Sequence, residues 1–363
     1  MDPRVRDHAE VLVDWSARVD AGDDVVVRVD EGAHDLAVAV AEALGERGAN
    51  MLATYVADEI ESAFVRAHDG EFDRDPDFEA EMLERADVVL SLGGTRNVAE
   101  RGAVPGDKRA AYRKSRTGIR ELRMDTDWVS TIHPTRAQAQ QAGMGIAEYR
   151  DFVYDAVLRD WERLADEMAR MKDLLDEGSE VRLVKADTDL TMSIENRTAV
   201  NSAASVAYDS HNLPSGEVFT APENPEGEVY FDVPMTHEGA RIRDVHLTFE
   251  DGAVVDWSAE VGEDALDDVF ATDEGARRLG ELGIGMNRGI DRFTDSILFD
   301  EKMGDTIHLA VGRAYDSCLP EGEEGNQSAV HVDMITDVSE DSRLEIDGEI
   351  VQRNGTFRWE DGF

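Results

Sequence analysis

Val25-Val26-Val27-Arg28-Val29, entered through the turn-like Gly22-Asp23-Asp24, sets the class of the N-terminal half of this chain. Four β-branched residues in five positions favour a short buried strand over a helix. Outward from it, Ala33 to Arg47 has helical periodicity and stops near Gly48, and Met51 to Val56 reads as a second strand. Asp77 to Ala86 then reads as a helix, and Val88-Val89-Leu90-Ser91-Leu92 as a third, buried strand ending at Gly93-Gly94. The order β-α-β-α-β predicts a parallel sheet with covering helices, a Rossmann-like α/β domain. Gly93-Gly94 invites comparison with a phosphate loop. Neither a G-x-G-x-x-G nor a Walker pattern surrounds it, so a nucleotide site is not expected there.

From Ile146 to Leu175, apolar residues recur at three- and four-residue steps (Phe152, Val153, Val157, Trp161, Leu164, Met168, Met171), which predicts one long helix with a core-facing side. Gly178 is placed to end it, and the domain boundary is set there, giving domains 1–178 and 179–363. Beyond it the pattern turns to strands and turns: Val181 to Val184, Leu190 to Ile194, Gly227 to Val233, and Asp244 to Phe249 joined through Asp251-Gly252 to Ala253-Val254-Val255 as a hairpin. A helix is predicted over Asp264 to Leu282, then strands carrying His308 to Val311 and Ala329 to Met334. The second domain therefore reads as α+β.

Composition limits the function. Against 37 Lys and Arg stand 80 Asp and Glu, a formal charge of -43 on 363 residues. Such a field repels nucleic acid and anionic membranes. Periodic apolar segments along nearly the whole chain, with 41% apolar residues, exclude the alternative of a charged, disordered chain. Acidic residues spread over every segment, with Lys rare beside Arg, predict a halophilic protein whose self-repulsion is screened by concentrated salt. The lone Cys318 excludes an internal disulfide and a Cys-based zinc cage, and reads as a small buried residue. No apolar run approaches the roughly 20 residues of a membrane span, and a soluble, cytoplasmic protein is expected.

Candidate chemistry gathers between residues 210 and 335. In His331-Val332-Asp333, positions i and i+2 of a strand share a face, so an imidazole and a carboxylate can ligate one metal or orient one another. His308 lies in the apolar run Thr306 to Val311, where a buried imidazole needs partners for its nitrogens. Glu217 sits in an apolar, proline-bounded segment from Leu213 to Pro222. Glu281 is placed late in the predicted helix, and Glu301 at the edge of an apolar strand ending in Ile297-Leu298-Phe299-Asp300. Their apolar flanks separate these carboxylates from the acidic background.

Five segments in this order resemble one family: Glu217 to Pro222, Gly275 to Glu281, Leu298 to Glu301, Gly312 to Tyr315 and Ser328 to Asp333. They are similar to the aminopeptidase T family of thermophilic two-metal metalloaminopeptidases, over residues 180–363 most clearly. The resemblance implies Glu217, Glu281, Glu301, His308, His331 and Asp333 as metal ligands and Tyr315 as a catalytic residue. It also implies two divalent ions (Zn, Co, Mn or Mg), short peptides as substrates and a homodimer. Glu301 and His308 are set further apart than the family pattern has them, with Gly304 placed to turn the extra residues. The residue types suit the chemistry: Glu281 can bridge two ions, Glu301 can contact a metal or act as general base, and Tyr315 can donate to an oxyanion. Two other readings stay open. His308, His331 and Asp333 alone make the two-histidine, one-carboxylate set of mononuclear iron, as in ring-cleaving dioxygenases. A non-catalytic metal- or peptide-binding protein would keep the ligands without turnover.

Overall fold

The structure, a computed structural model, describes residues 2–72 and 76–363. The chain divides into two compact units, residues 1–159 with 204–214, and residues 160–203 with 215–363. The division falls at Arg159–Asp160, not after Gly178. Its cause is local: the single long helix expected over 146–175 is two helices, Ile146–Val157 and Trp161–Glu177, and Asp160 caps the second by accepting a hydrogen bond from the Arg163 amide at 3.2 Å. The second helix packs in the second unit, where Asn201 donates to the Ala165 carbonyl at 3.0 Å.

The first unit is α/β. Its five-stranded sheet runs Asn50–Val56, Asp24–Asp30, Val88–Gly93, Asp127–Ile132 and Asn212–Leu213, every neighbouring pair parallel. The valine run lies at its centre, with Val25, Val26, Val27 and Val29 all buried. The last strand comes from the 204–214 excursion, a long-range addition that no local pattern signals. Gly94 serves backbone packing. It accepts a hydrogen bond from the Gly32 amide at 2.9 Å, and a Cβ on it would stand 2.7 Å from the Ala33 nitrogen.

The second unit holds two antiparallel sheets. One is a nine-stranded sheet that includes the Ala240–Glu250 and Ala253–Val261 hairpin, turned through Asp251 (φ 50°) and Gly252 (φ 75°). The other carries the chemistry, in the order His331–Asp337, Thr306–Gly312, Leu279–Gly285, Glu217–Thr220, Val200–Ser202.

Two sequence expectations are corrected here. The helix predicted over 264–282 stops early, as Glu263–Phe270, and Leu279–Gly285 is a fully buried strand, so Glu281 sits on a strand. Gly280, Gly283 and Gly285 explain the change. Each glycine costs a helix up to about 1 kcal/mol relative to Ala, whereas in the sheet each admits a close neighbour. A Cβ on Gly280 would stand 2.4 Å from the Arg313 carbonyl oxygen, and one on Gly285 2.0 Å from that of Met303. Ile297–Asp300 is likewise a short helix, not a strand, with Glu301 at its C-terminal end. Its turn is held by Asp300, which accepts from the Thr294 amide and hydroxyl, both at 2.8 Å, and from the Ser296 amide at 3.0 Å.

Candidate metal centre

The register of the second sheet brings the sequence candidates together. Glu281 pairs with Ala310, which pairs with Asp333, so the two carboxylates flank a small side chain on one face. Two residues along, Gly283 pairs with His308, and Gly285 pairs with Glu217 on the other neighbouring strand. Residues 281, 283 and 285 share that face. Only the first carries a side chain, which leaves the space above the strand to its neighbours. A Cβ on Gly283 would lie 2.0 Å from His308 Nε2, so the imidazole occupies the room the glycine vacates.

Two groups of ligand atoms result, each lying within 4.8 Å of one another: Glu217, Glu281 and His308, and Glu281, His331 and Asp333. Glu281 is common to both. His308 Nε2 lies 3.1 Å from Glu281 Oε1 and 3.6 Å from Glu217 Oε2, and His331 Nε2 lies 3.3 Å from Glu281 Oε2 and 3.4 Å from Asp333 Oδ1. The two histidines fall in different groups. The set His308, His331 and Asp333 of a mononuclear iron site is therefore not the arrangement the fold assembles.

Electrostatics mark the same two points. Burial opposes ionisation of Glu281, but hydrogen bonds from His308 and His331 outweigh it and hold its carboxyl at about 2. His331 is disfavoured as a cation by burial, yet Asp333 and Glu281 raise it to about 11. Glu217 is raised by burial, with Lys302 and His308 opposing. The His331 ring is aimed from behind: its Nδ1–H donates to the Arg313 carbonyl at 2.8 Å, which directs Nε2 at two carboxylates. Raised in this way, His331 carries a proton on Nε2 toward the two carboxylates, and a divalent ion bound there would take that proton's place. Glu217 Oε2 is buried with no hydrogen-bond partner. An oxygen- and nitrogen-rich set with an orphaned carboxylate oxygen fits divalent metal ions.

Glu301 stands outside both groups, its carboxylate paired with the ammonium of Lys302. Lys302, absent from the sequence candidates, is the most informative addition. It is 1% exposed, and its Nζ lies 3.3 Å from Glu217 Oε1, tying Glu301 to the His308 group. One signal for it was present: the chain has only five lysines, and one follows directly on a candidate carboxylate. Tyr315 is half-exposed, with its ring 5.0 Å from that of His331 and 5.7 Å from that of Phe219. Burial, and then Glu281, Asp333 and Glu217, raise its phenol well above the ordinary value, so the hydroxyl keeps its proton. Cys318 is buried against Ala221 and Ala314, as a packing residue. Beside His331 and Asp333 opens a cavity of about 250 Å³ whose apolar walls include Met235, Phe293, Ile297 and Ile335.

Known proteins share this chain's pattern from end to end. The family description "Thermophilic metalloprotease (M29)" matches residues 1–357. Aminopeptidase T of Thermus aquaticus is 27% identical across 97% of both chains. Aminopeptidase 2 of Geobacillus stearothermophilus is 30% identical over 64% of this chain and 65% of its own. The solved structure of wild-type AmpT from Thermus thermophilus superposes with a TM-score of 0.84 over 98% of this chain and 99% of that one at 23% identity, and so shares the fold. The chain belongs to the thermophilic metalloprotease family M29, and is a metal-dependent hydrolase of peptide bonds.

Proposed function

We infer that this protein is a metal-dependent aminopeptidase in which Glu217, Glu281 and His308 hold one divalent ion and Glu281, His331 and Asp333 hold a second. The observation that carries the two-ion reading is the position of Glu281 in both groups. Bound there, divalent ions lower the pKa of a ligated water from about 15.7 towards about 7 and polarise the scissile carbonyl.

The chain's own residues do the rest. Glu281 ties the two positions to one strand, and the Arg313 carbonyl keeps Nε2 of His331 turned inward. Glu301 is the general base, taking the proton of the attacking water on a carboxylate oxygen and returning it to the leaving amine. Lys302 holds Glu301 in place, a positioning role supported by its paired contacts to Glu301 and Glu217. The protonated Tyr315 hydroxyl donates to the oxyanion as the carbonyl carbon becomes tetrahedral. The substrate is a short peptide with a free N-terminus. Its first side chain enters the cavity walled by Met235, Phe293, Ile297 and Ile335, which favours an apolar first residue.

The test is hydrolysis of aminoacyl-p-nitroanilides and dipeptides in molar KCl, on metal-stripped protein and after adding Zn, Co, Mn or Mg singly. Metal-restored release of N-terminal residues, with N-acetylated substrates untouched, is expected. Cleavage of the acetylated substrates, or release without metal, would overturn the reading.

Two finer features belong to the same proposal. The working state is a homodimer in a salt-rich cytoplasm. The edge strand Asn50–Val56 supports the first: Met51, Leu52 and Tyr55 are all exposed on it, and an open apolar edge invites pairing. Light scattering should give twice the 40.1 kDa chain mass, and a monomeric mass would remove the dimer.

A further inference from the structure

The first unit contains a cavity of about 350 Å³ that none of the metal-centre candidates lines. Of the thirteen described residues that form its walls, six are arginines: Arg28, Arg109, Arg113, Arg116, Arg120 and Arg123. The whole chain has only 37 basic residues in 363, and more than twice as many acidic ones. An arginine at nearly every second wall position is thus the reverse of the molecule's charge pattern.

The sequence builds this wall deliberately in space. Arg109, Arg113, Arg116, Arg120 and Arg123 follow one another at steps of four, three, four and three, across the helices Gly106–Ser115 and Thr117–Met124. Within each helix that spacing puts its arginines on one side, and Arg116 stands at the junction between the two helices. Arg28 joins them from the central strand Asp24–Asp30. Among the described residues, four of these arginines have no carboxylate at ion-pair distance. The four are Arg28, Arg113, Arg120 and Arg123. Glu79 pairs with Arg116, and among the described residues Glu61 is the one acidic member of the lining.

Arg123 is the clearest mark of an unmet demand. Its guanidinium lies 4.7 Å above the Trp128 ring, which fixes its plane, and its Nε is buried with no hydrogen-bond partner. Burial, and then the like charges of Arg28 and Arg120, lower its hold on its proton. Several cations gathered round one cavity repel one another, and an anion placed among them relieves every pair. Guanidinium groups also match oxyanions in particular, presenting paired donors to two oxygens at once. The floor is different in kind. Val65, Leu83 and Ile119 are buried apolar side chains, and the Tyr112 ring stands at the wall with the Arg116 guanidinium 5.9 Å from its centre.

We propose that this cavity is a second binding site, for a small organic dianion whose oxyanion charge is carried on a compact apolar or aromatic body. The oxyanion lies against the arginine stripe and the body against Tyr112, Leu83 and Ile119. The volume is in the range of small-molecule pockets, about 300–1,000 Å³. Phosphate esters and aromatic dicarboxylates share this chemistry, and the site separates them by how well two guanidinium forks can be filled.

The experiment is calorimetric titration of the full, metal-loaded protein, at the lowest KCl concentration that keeps it folded by circular dichroism. The probes are AMP, inorganic phosphate, adenosine and phthalate. AMP should bind once per chain and at least tenfold more tightly than phosphate or adenosine. Phthalate binding in its place would support the same site with a carboxylate as the natural group. The paired substitution Arg113→Ala and Arg120→Ala, at two exposed positions, should weaken binding at least tenfold and leave peptide hydrolysis within twofold. Absence of saturable binding by all four probes would overturn the proposal. So would binding that the double substitution leaves unchanged, because an anion held at the metal centre would behave in that way.

Discussion

Gly283 and His308 face each other across paired strands so closely that a single methyl group on the glycine would stand 2.0 Å from the imidazole Nε2. The imidazole's position is set by what its neighbour lacks. Gly283→Ala should push the ring out of line with Glu281 and Glu217. Overpacking of this kind costs about 1–3 kcal/mol, so the protein should still fold. Bound metal, counted by mass spectrometry, should drop below that of the unsubstituted protein, and kcat should fall at least a hundredfold. Full metal content with normal kcat would show that the ring has another place to go.

If Glu281 serves both ions, its loss should not resemble the loss of Asp333. Glu281→Gln should abolish binding of both equivalents, whereas Asp333→Asn should leave one, held by Glu217, Glu281 and His308. Metal titration of stripped protein reads the difference. Equal stoichiometry in the two variants would refute the shared carboxylate.

Lys302 is a fully buried cation between two carboxylates. Removing one partner of such a set leaves charge buried without compensation, at a cost of about 3–5 kcal/mol. Lys302→Met should therefore lower the midpoint of urea unfolding in metal-free protein. Metal should recover part of that stability, and kcat should stay tenfold or more below normal, because Glu301 has lost its anchor. A loss of stability with unchanged kcat would leave Lys302 a structural residue only.

Away from the centre, His8 supplies a pH dependence of folding. It is wholly buried in the first unit, with Nε2 2.7 Å from Thr131 Oγ1, and burial followed by the nearby His133 lowers it from 6.5 to about 3. The group is depressed in the folded state, so between these values the unfolded chain binds a proton that the folded one refuses. Stability is then intact above pH 6.5 and falls as pH drops, by up to about 1.4 kcal/mol per unit. Between pH 7 and pH 5 the unsubstituted protein should lose about 2 kcal/mol more than His8→Gln. Parallel curves for the two would mean that His8 takes up its proton in place.

A formal charge of -43 repels itself over distances that dilute buffer leaves unscreened. The Debye length is about 10 Å at 0.1 M salt and about 3 Å at 1 M. The melting temperature should accordingly rise steeply from 0.1 to 2 M KCl, and the fold should fail at the low end. A melting temperature independent of salt would remove the halophilic reading.

Much of the centre was legible because strand periodicity and short-range spacing are local. His331 and Asp333 share a face two residues apart, and His308 sits in an apolar run, in any fold that keeps those strands. Glu281 is different: the local pattern favours a helix there, and the fold makes it a strand. A mixture of leucines, glycines and charges satisfies helical periodicity, and the use of Gly283 and Gly285 shows only when their neighbours are present. Glu301 had the right flanks and the wrong conformation, because four apolar or acidic residues fit a helical turn as well as a strand.

The parallel core of the first unit, the turn between 250 and 253, and the side chains that are candidates for metal binding could all be read along the chain. Each of these follows from the period of apolar residues or from the chemistry of a side chain. Three features exist only in the folded chain: Glu281 stands in two candidate ligand groups, Lys302 is buried against Glu217, and residues 204–214 return to complete the first sheet. These are pairings between residues far apart in the chain. They are set by sheet register and by the packing of whole strands, and no local periodicity encodes either.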